Sequence, residues 1–269
     1  MEDVILIDSI SDSLKNRFSN ILYEVFEETV KISTYGTESF SWDLYRFLIE
    51  EFFKENITFS LSSRHHYTTY HEDVIQKLEE LEWYMYYDLI EILAKVNLIY
   101  KNLKEKITRI LEEEQSGYRL MENNEFVPIT DEHSILTIDS ASESPFEYAK
   151  THLQNAISNL SEKENPDYNS VIREAINAVE SCFIQVAGLQ PNKKNTLGVA
   201  IKKIIDNHNN EIDLTFIKPF ETMYGLASNN GIRHAGNEKT ILSDLSDAIL
   251  VLTTCSAIIN YLSIKLILH

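Results

Sequence analysis

The chain has 269 residues, 42 acidic and 24 basic side chains, and a formal net charge of −18. That length favours two compact units, and a hydrophobic content of 43% excludes a disordered or low-complexity chain. Seven glycines and five prolines are too few for the many turns of an all-β fold.

The charge is uneven. Residues 1–144 hold 29 acidic and 13 basic side chains, a net of −16, and residues 145–269 hold 13 and 11, a net of −2. The acidic first half repels a phosphate backbone, so nucleic-acid contact is expected only from the second half. The two cysteines, Cys182 and Cys255, stand in apolar helical patterns. They read as buried free thiols in a reducing, cytoplasmic setting. The N-terminus lacks a basic segment followed by an apolar block, so no secretory signal is expected. No run of about eighteen uncharged apolar residues argues for a membrane span. The nearest case, 248–268, is interrupted by Thr253, Thr254, Ser256, Asn260, Ser263 and Lys265, and reads as a helix buried on most sides.

In chain order, residues 11–31 predict a first helix, with Asp12 as N-cap and Leu14, Phe18, Ile21, Leu22, Val25 and Phe26 on its apolar face. Residues 41–55 predict a second, and 57–70 a connector containing Arg64, His65 and His66. Residues 73–114 predict one long helix or two consecutive ones, with a break near Asn97. The aromatic section Trp83, Tyr84, Tyr86 and Tyr87 reads as packing rather than a cofactor box. Apolar residues alternating around Asn123-Asn124 predict a short β-hairpin that must pack on something, with Pro128 at an edge or strand end. The serine-rich residues 131–144 read as a linker, opening with a short helix capped by Asp131. Beyond it, helices are predicted over 145–162, 168–188 with Gly188 as C-cap, 195–207 capped by Asn195 or Thr196, 214–227, and 240–268 capped by Ser243 or Asp244. The expected organisation is an acidic helical unit over 1–130, a linker over 131–144 and a helical bundle over 145–269. The fold class is all-α in two helical domains, with a short β-hairpin at the junction.

The most chemical stretch is 224–238, between the last two predicted helices. It holds Gly225, Gly231 and Gly236 and places Arg233 beside His234. Glycine concentrates where a backbone takes positive φ or approaches a partner closely. An imidazole near neutral pKa moves protons at a 2′-hydroxyl or a leaving oxygen, and a guanidinium holds a phosphate. Asn229 and Asn230 are candidates to orient either group, with N–H groups around Gly231 as an anion nest. The structural reading of the same pair is an Arg233 bridge to Glu174 or Glu180, with His234 on a helix-corner carbonyl. Lys193, Lys194, Lys202 and Lys203 form a candidate RNA-backbone patch, the first pair beside a predicted helix start. Arg173 and Glu180, seven apart on one helix, are candidate support residues flanking Asn177. Adjacent histidines diverge and no second ligand cluster has metal spacing, so neither metal nor cofactor is expected.

From Pro145 onward the chain resembles the HEPN-like domain of AbiJ-type abortive-infection proteins. The resemblance rests on E-N-P-D-Y-N-S-V-I-R-E-A-I-N-A-V-E at 164–180, N-T-L-G-V-A-I-K-K at 195–203, Y-G at 224–225, G-I-R-H-A at 231–235 and C-S-A-I-I-N-Y-L at 255–262. The acidic first half, through its G-Y-R-L and V-P-I-T segments, resembles the N-terminal domain that accompanies it. The resemblance implies a helical bundle, commonly a homodimer, within a superfamily rich in RNA-cleaving toxins and phage-defence effectors. Many of its nucleases carry an Arg followed four to six residues later by His. Here Arg233 is followed at once by His234, and neighbouring side chains on a helix point about 100° apart. Two functional readings therefore stand. One is a defence protein that binds RNA and cleaves it as a metal-independent endoribonuclease, with Arg233 and His234 catalytic. The other is a non-catalytic sensor or dimerisation module binding a nucleotide or protein. A protein partner is the expected role of the acidic first domain.

Overall fold

A computed structural model describes residues 7–32, 39–56, 67–96, 102–190, 194, 196–207, 215, 218–229 and 243–267. They form an all-α protein whose only sheet, among the described residues, is a two-stranded hairpin. The chain divides into two compact units, Met1–Phe126 and Val127–His269.

The first unit is built around α1, Asp12–Ile32, whose Leu14, Phe18, Ile21, Leu22 and Phe26 are buried as the helical spacing predicts. Its cap differs from expectation. Leu14 N–H donates to Ser11 Oγ at 3.0 Å, so Ser11 rather than Asp12 is the N-cap. Against α1 pack α2, Ser39–Phe47, α3, Tyr67–Glu79, α4, Met85–Lys95, and α5, Leu103–Glu113. The second predicted helix changes pitch: Leu48–Phe52 is a π-helical turn, and Phe53 N–H reaches back to Leu48 O at 3.0 Å. The expected 73–114 helix is three helices, with a further break between Glu79 and Met85. No Pro or Gly marks that break; the aromatic packing that follows it does. Tyr87 is buried against Phe18 at 5.5 Å, Tyr118 at 4.8 Å and Phe126 at 5.2 Å between ring centroids, and its hydroxyl meets Ser116 Oγ at 3.0 Å.

The hairpin pairs β1, Arg119–Leu120, with β2, Phe126–Val127. Asn124 takes a φ of 63°, and Asn123 Oδ1 accepts from Glu125 N–H at 3.1 Å, which closes the turn the Asn pair predicted. The ribbon's packing partner is α4: Glu91 Oε1 accepts from Phe126 N–H at 2.8 Å, and Phe126 is fully buried.

The second unit is centred on α8, Tyr168–Val186. Around it lie α6, Glu132–Ser142, α7, Glu147–Ser161, α9, Leu197–Asn207, α10, Lys218–Asn229, and α11, Leu245–Ile267. Helix α8 packs on α7, α9, α10 and α11, and α6 packs on α7 and α11. Residues 131–144 are thus a packed helix rather than a linker. Asp131 caps it by accepting from Ser134 N–H at 2.8 Å, Ile138 and Ala141 are buried, and Asn260 Nδ2 donates to Thr137 O at 2.9 Å. Two of the serines that suggested a linker fold back onto the helix: Ser134 joins the cap, and Ser142 Oγ bonds Ile138 O.

Helix α8 ends as Gly188 predicted. Its φ is +61°, Gly188 N–H bonds Gln185 O and Leu189 N–H bonds Ile184 O, a Schellman closure. Helix α11 opens with a reciprocal cap: Asp247 N–H donates to Asp244 Oδ1 at 2.9 Å, and Asp244 N–H to Asp247 Oδ2 at 3.2 Å. Among the described residues, α11 alone is long and apolar enough to cross a membrane by length and composition. It is also less enclosed than its sequence predicts. Ala248, Leu252, Cys255, Ile259 and Leu262 are buried, yet only 39% of its most apolar stretch is, and Leu250 and Ile264 are 64% and 60% exposed. Its described packing partners are α6, α8 and α10. Both cysteines are buried free thiols, and burial pushes each thiol up.

Candidate functional site

Helix α8 carries Arg173 and Glu180, two of the predicted site residues. Its first turn is a hydrogen-bonded cap. Asp167 accepts from Ser170 N–H at 2.9 Å and from the Ser170 hydroxyl. Burial pushes the Asp167 carboxyl up, but these bonds and the Arg173 charge outweigh it and hold the group below the usual carboxylate range. Arg173 Nη2 donates to Ser170 Oγ at 2.7 Å, and its Nε stands 3.9 Å from Glu174 Oε1. The other carboxylate oxygen, Glu174 Oε2, lies 2.7 Å from His152 Nδ1 on α7. A carboxylate only accepts, so Nδ1 carries the proton and the neutral ring keeps its lone pair on Nε2. Asp167, Ser170, Arg173, Glu174 and His152 thus form one continuous polar chain. The three members nearest α7 are semi-exposed: 32% for Arg173, 17% for Glu174 and 32% for His152.

Glu180, two turns beyond Arg173, has a separate set of partners. Its Oε1 accepts from Leu197 N–H, the first residue of α9, at 3.1 Å and from the Tyr224 hydroxyl of α10 at 3.3 Å. The α9 N-terminus, read as a phosphate site beside Lys193 and Lys194, already holds the Glu180 carboxylate, which repels an incoming anion. Lys194 and Lys202 are exposed. Glu174 and Glu180, the two carboxylates considered for an Arg233 bridge, have these partners on α7, α9 and α10.

The stretch 224–238 divides. Helix α10 runs to Asn229, so Tyr224 and Gly225 are helical. Gly225 has no positive φ and no neighbour a Cβ would meet, so neither reason for a glycine applies there. Phe220, one turn before Tyr224, stacks on Phe183 of α8 with centroids 6.3 Å apart. Asn229 is the last residue of α10. Asn230, Gly231, Arg233, His234 and Lys239 lie outside the described residues, as do Lys193 and Asn195. On the far side of the stretch, Ser243 N–H donates to Asn169 Oδ1 at 3.1 Å. Both described flanks of the Arg-His segment are therefore fastened to α8, at Glu180 and at Asn169, and Arg173 lies between those points along the helix.

His152 has no counterpart among the residues the motifs single out. The turn around Asn165-Pro166 makes α7 and α8 an antiparallel pair, and Glu174, which already stood out as a carboxylate, meets His152 across it. In the first unit, His71 Nε2 lies 3.0 Å from Ser19 O and 3.1 Å from Ser19 Oγ, while burial lowers its pKa. Donation to the carbonyl leaves Nε2 unable to act as a base toward the hydroxyl. Among the described residues no three His, Cys, Asp or Glu side chains are grouped to hold a metal; Arg64, His65 and His66 lie outside them.

Compared with known proteins, residues 1–144 match the family model described as AbiJ N-terminal domain 4. That match runs past the first compact unit and ends just after α6. No curated protein and no solved structure matches the chain.

Proposed function

The chain belongs to the AbiJ N-terminal domain 4 family, and on that premise we propose that it is a cytoplasmic abortive-infection protein whose second, HEPN-like unit binds RNA and cleaves it without metal. Membership of an AbiJ family points to abortive infection, the defence of a bacterium against phage. The RNA reading goes further and is carried by one observation. Both described flanks of the Arg233–His234 segment are tied to α8, the helix bearing Arg173 and Glu174. In this reading Arg233 binds the scissile phosphate and stabilises its developing charge, and His234 assists proton transfer. Asn230 and Gly231 support them, Lys202 holds the backbone, and Glu180 keeps α9 and α10 in place. The near-neutral second half tolerates a polyanion that the acidic first half repels, leaving the first unit to a protein partner.

A homodimer is part of the proposal. Leu250 and Ile264, two apolar side chains fourteen residues apart on α11, are supported as its contact by their exposure.

The test is incubation of the purified chain with total RNA in EDTA, beside Arg233→Ala and His234→Ala. The proposal expects fragments from the wild type and a loss of about 10²-fold or more in each variant. Equal, negligible cleavage by all three sinks the enzymatic reading and leaves the non-catalytic interaction module.

A further inference from the structure

We propose that His152, aligned by Glu174 with Arg173 at the other oxygen of that carboxylate, is the general base that removes the 2′-hydroxyl proton of RNA bound on α7 and α8. The inference deepens the cleavage reading above and rests on it.

Three observations carry it. Nδ1 of His152 donates to Glu174 at 2.7 Å, which fixes the ring's orientation and its tautomer, so the Nε2 lone pair is the basic site. The His152 side chain is 32% exposed. Arg173 stands at the other oxygen of the same carboxylate, so a cation suited to a phosphate and a lone pair suited to a hydroxyl proton flank one side chain. A surface ion pair serving only to join α7 to α8 has no use for that third member.

The step balances without an added reagent. The Nε2 lone pair takes the 2′-hydroxyl proton, and the 2′-oxygen attacks the adjacent phosphorus. The bond from phosphorus to the 5′-oxygen breaks with its electron pair on oxygen, and that oxygen takes a proton from water, which regains one from the His152 imidazolium. The products are a 2′,3′-cyclic phosphate and a 5′-hydroxyl. Glu174 is a positioning residue, since it touches the base and not the substrate.

The experiment follows metal-free cleavage of a defined RNA by the full chain, by His152→Ala, His152→Gln and Glu174→Gln, and by Arg233→Ala and His234→Ala. Thermal melts identify any variant that fails to fold, and His152→Gln, the closer replacement in size, reports on the ring if His152→Ala does not fold. The inference expects both His152 variants to lose about 10²–10⁴-fold in rate, free imidazole to restore part of the His152→Ala activity, and Glu174→Gln to fall at least tenfold while keeping its fold. A His152→Gln protein that cleaves at the wild-type rate overturns the inference, and if Arg233→Ala and His234→Ala are inactive in the same assay the cleavage reading stands without it. Loss of activity in the His152 variants with no imidazole rescue assigns the ring a structural role and also overturns it. No cleavage by the wild type overturns the reading and the inference together.

Discussion

Removing the Glu180 carboxylate tests whether that residue builds the second unit rather than handling substrate. In Glu180→Ala, Leu197 N–H at the start of α9 loses its acceptor at 3.1 Å, and the Tyr224 hydroxyl loses a bond of 3.3 Å. Leu197 is buried, so its orphaned donor costs about 1–2 kcal/mol. The lost charge at the helix N-terminus adds about 0.3–1 kcal/mol, and the weaker Tyr224 bond about 0.5 kcal/mol. The expected total is about 2–3 kcal/mol. Glu180→Gln keeps an oxygen acceptor and loses only the charge, so it should cost about 0.5–1 kcal/mol. Urea unfolding read from far-UV circular dichroism, compared at equal slope, measures both. A Glu180→Ala midpoint within about 0.3 kcal/mol of the wild type, or equal losses in the two variants, refutes the reasoning, because the cap then contributes nothing that depends on the oxygen.

Three more outcomes follow from the packing and capping. Tyr87→Phe should lose about 1 kcal/mol through its Ser116 bond, and Tyr87→Ala about 3–5 kcal/mol through the cavity among Phe18, Tyr118 and Phe126, both read by urea melts. Asp167→Ala should cost about 1 kcal/mol at pH 7. Because the Asp167 carboxyl is held below its ordinary value, its contribution is present above about pH 4 and is lost as pH falls through the folded-state value, so the gap between Asp167→Ala and wild type should close in acid. Leu250→Glu and Ile264→Glu, at exposed positions of α11, should leave the melting temperature within a few degrees and convert a dimer to a monomer in light scattering; unchanged mass removes α11 as the contact.

Much of the fold was legible because its helices obey a simple period. Val171, Ile172, Ala175, Ala178, Val179 and Phe183 were expected on the inner face of α8, and all are buried. Asn123-Asn124 and Gly188 marked their turns because each residue type suits left-handed φ. Local chemistry misled where tertiary packing decides. Residues 131–144 look like a linker by their serines, yet Ile138 and Ala141 are enough to dock a helix. The break after Glu79 has no Pro or Gly to announce it, and the rings packed around Tyr87 lie just beyond it. At the site, Glu174 and Glu180 stood out by type and position, but their partners did not, because His152 and Leu197 are distant in sequence and meet them only through helix pairing. Gly225, counted with the glycine-rich stretch, is an ordinary helical residue.

The end chemistry of RNA fragments made by the full chain in EDTA tests the central claim most directly. The account predicts 5′-hydroxyl and 2′,3′-cyclic phosphate ends, absent from the Arg233→Ala and His234→Ala reactions. Fragments bearing 5′-phosphates and appearing only with added divalent metal, or no fragments at all, contradict it.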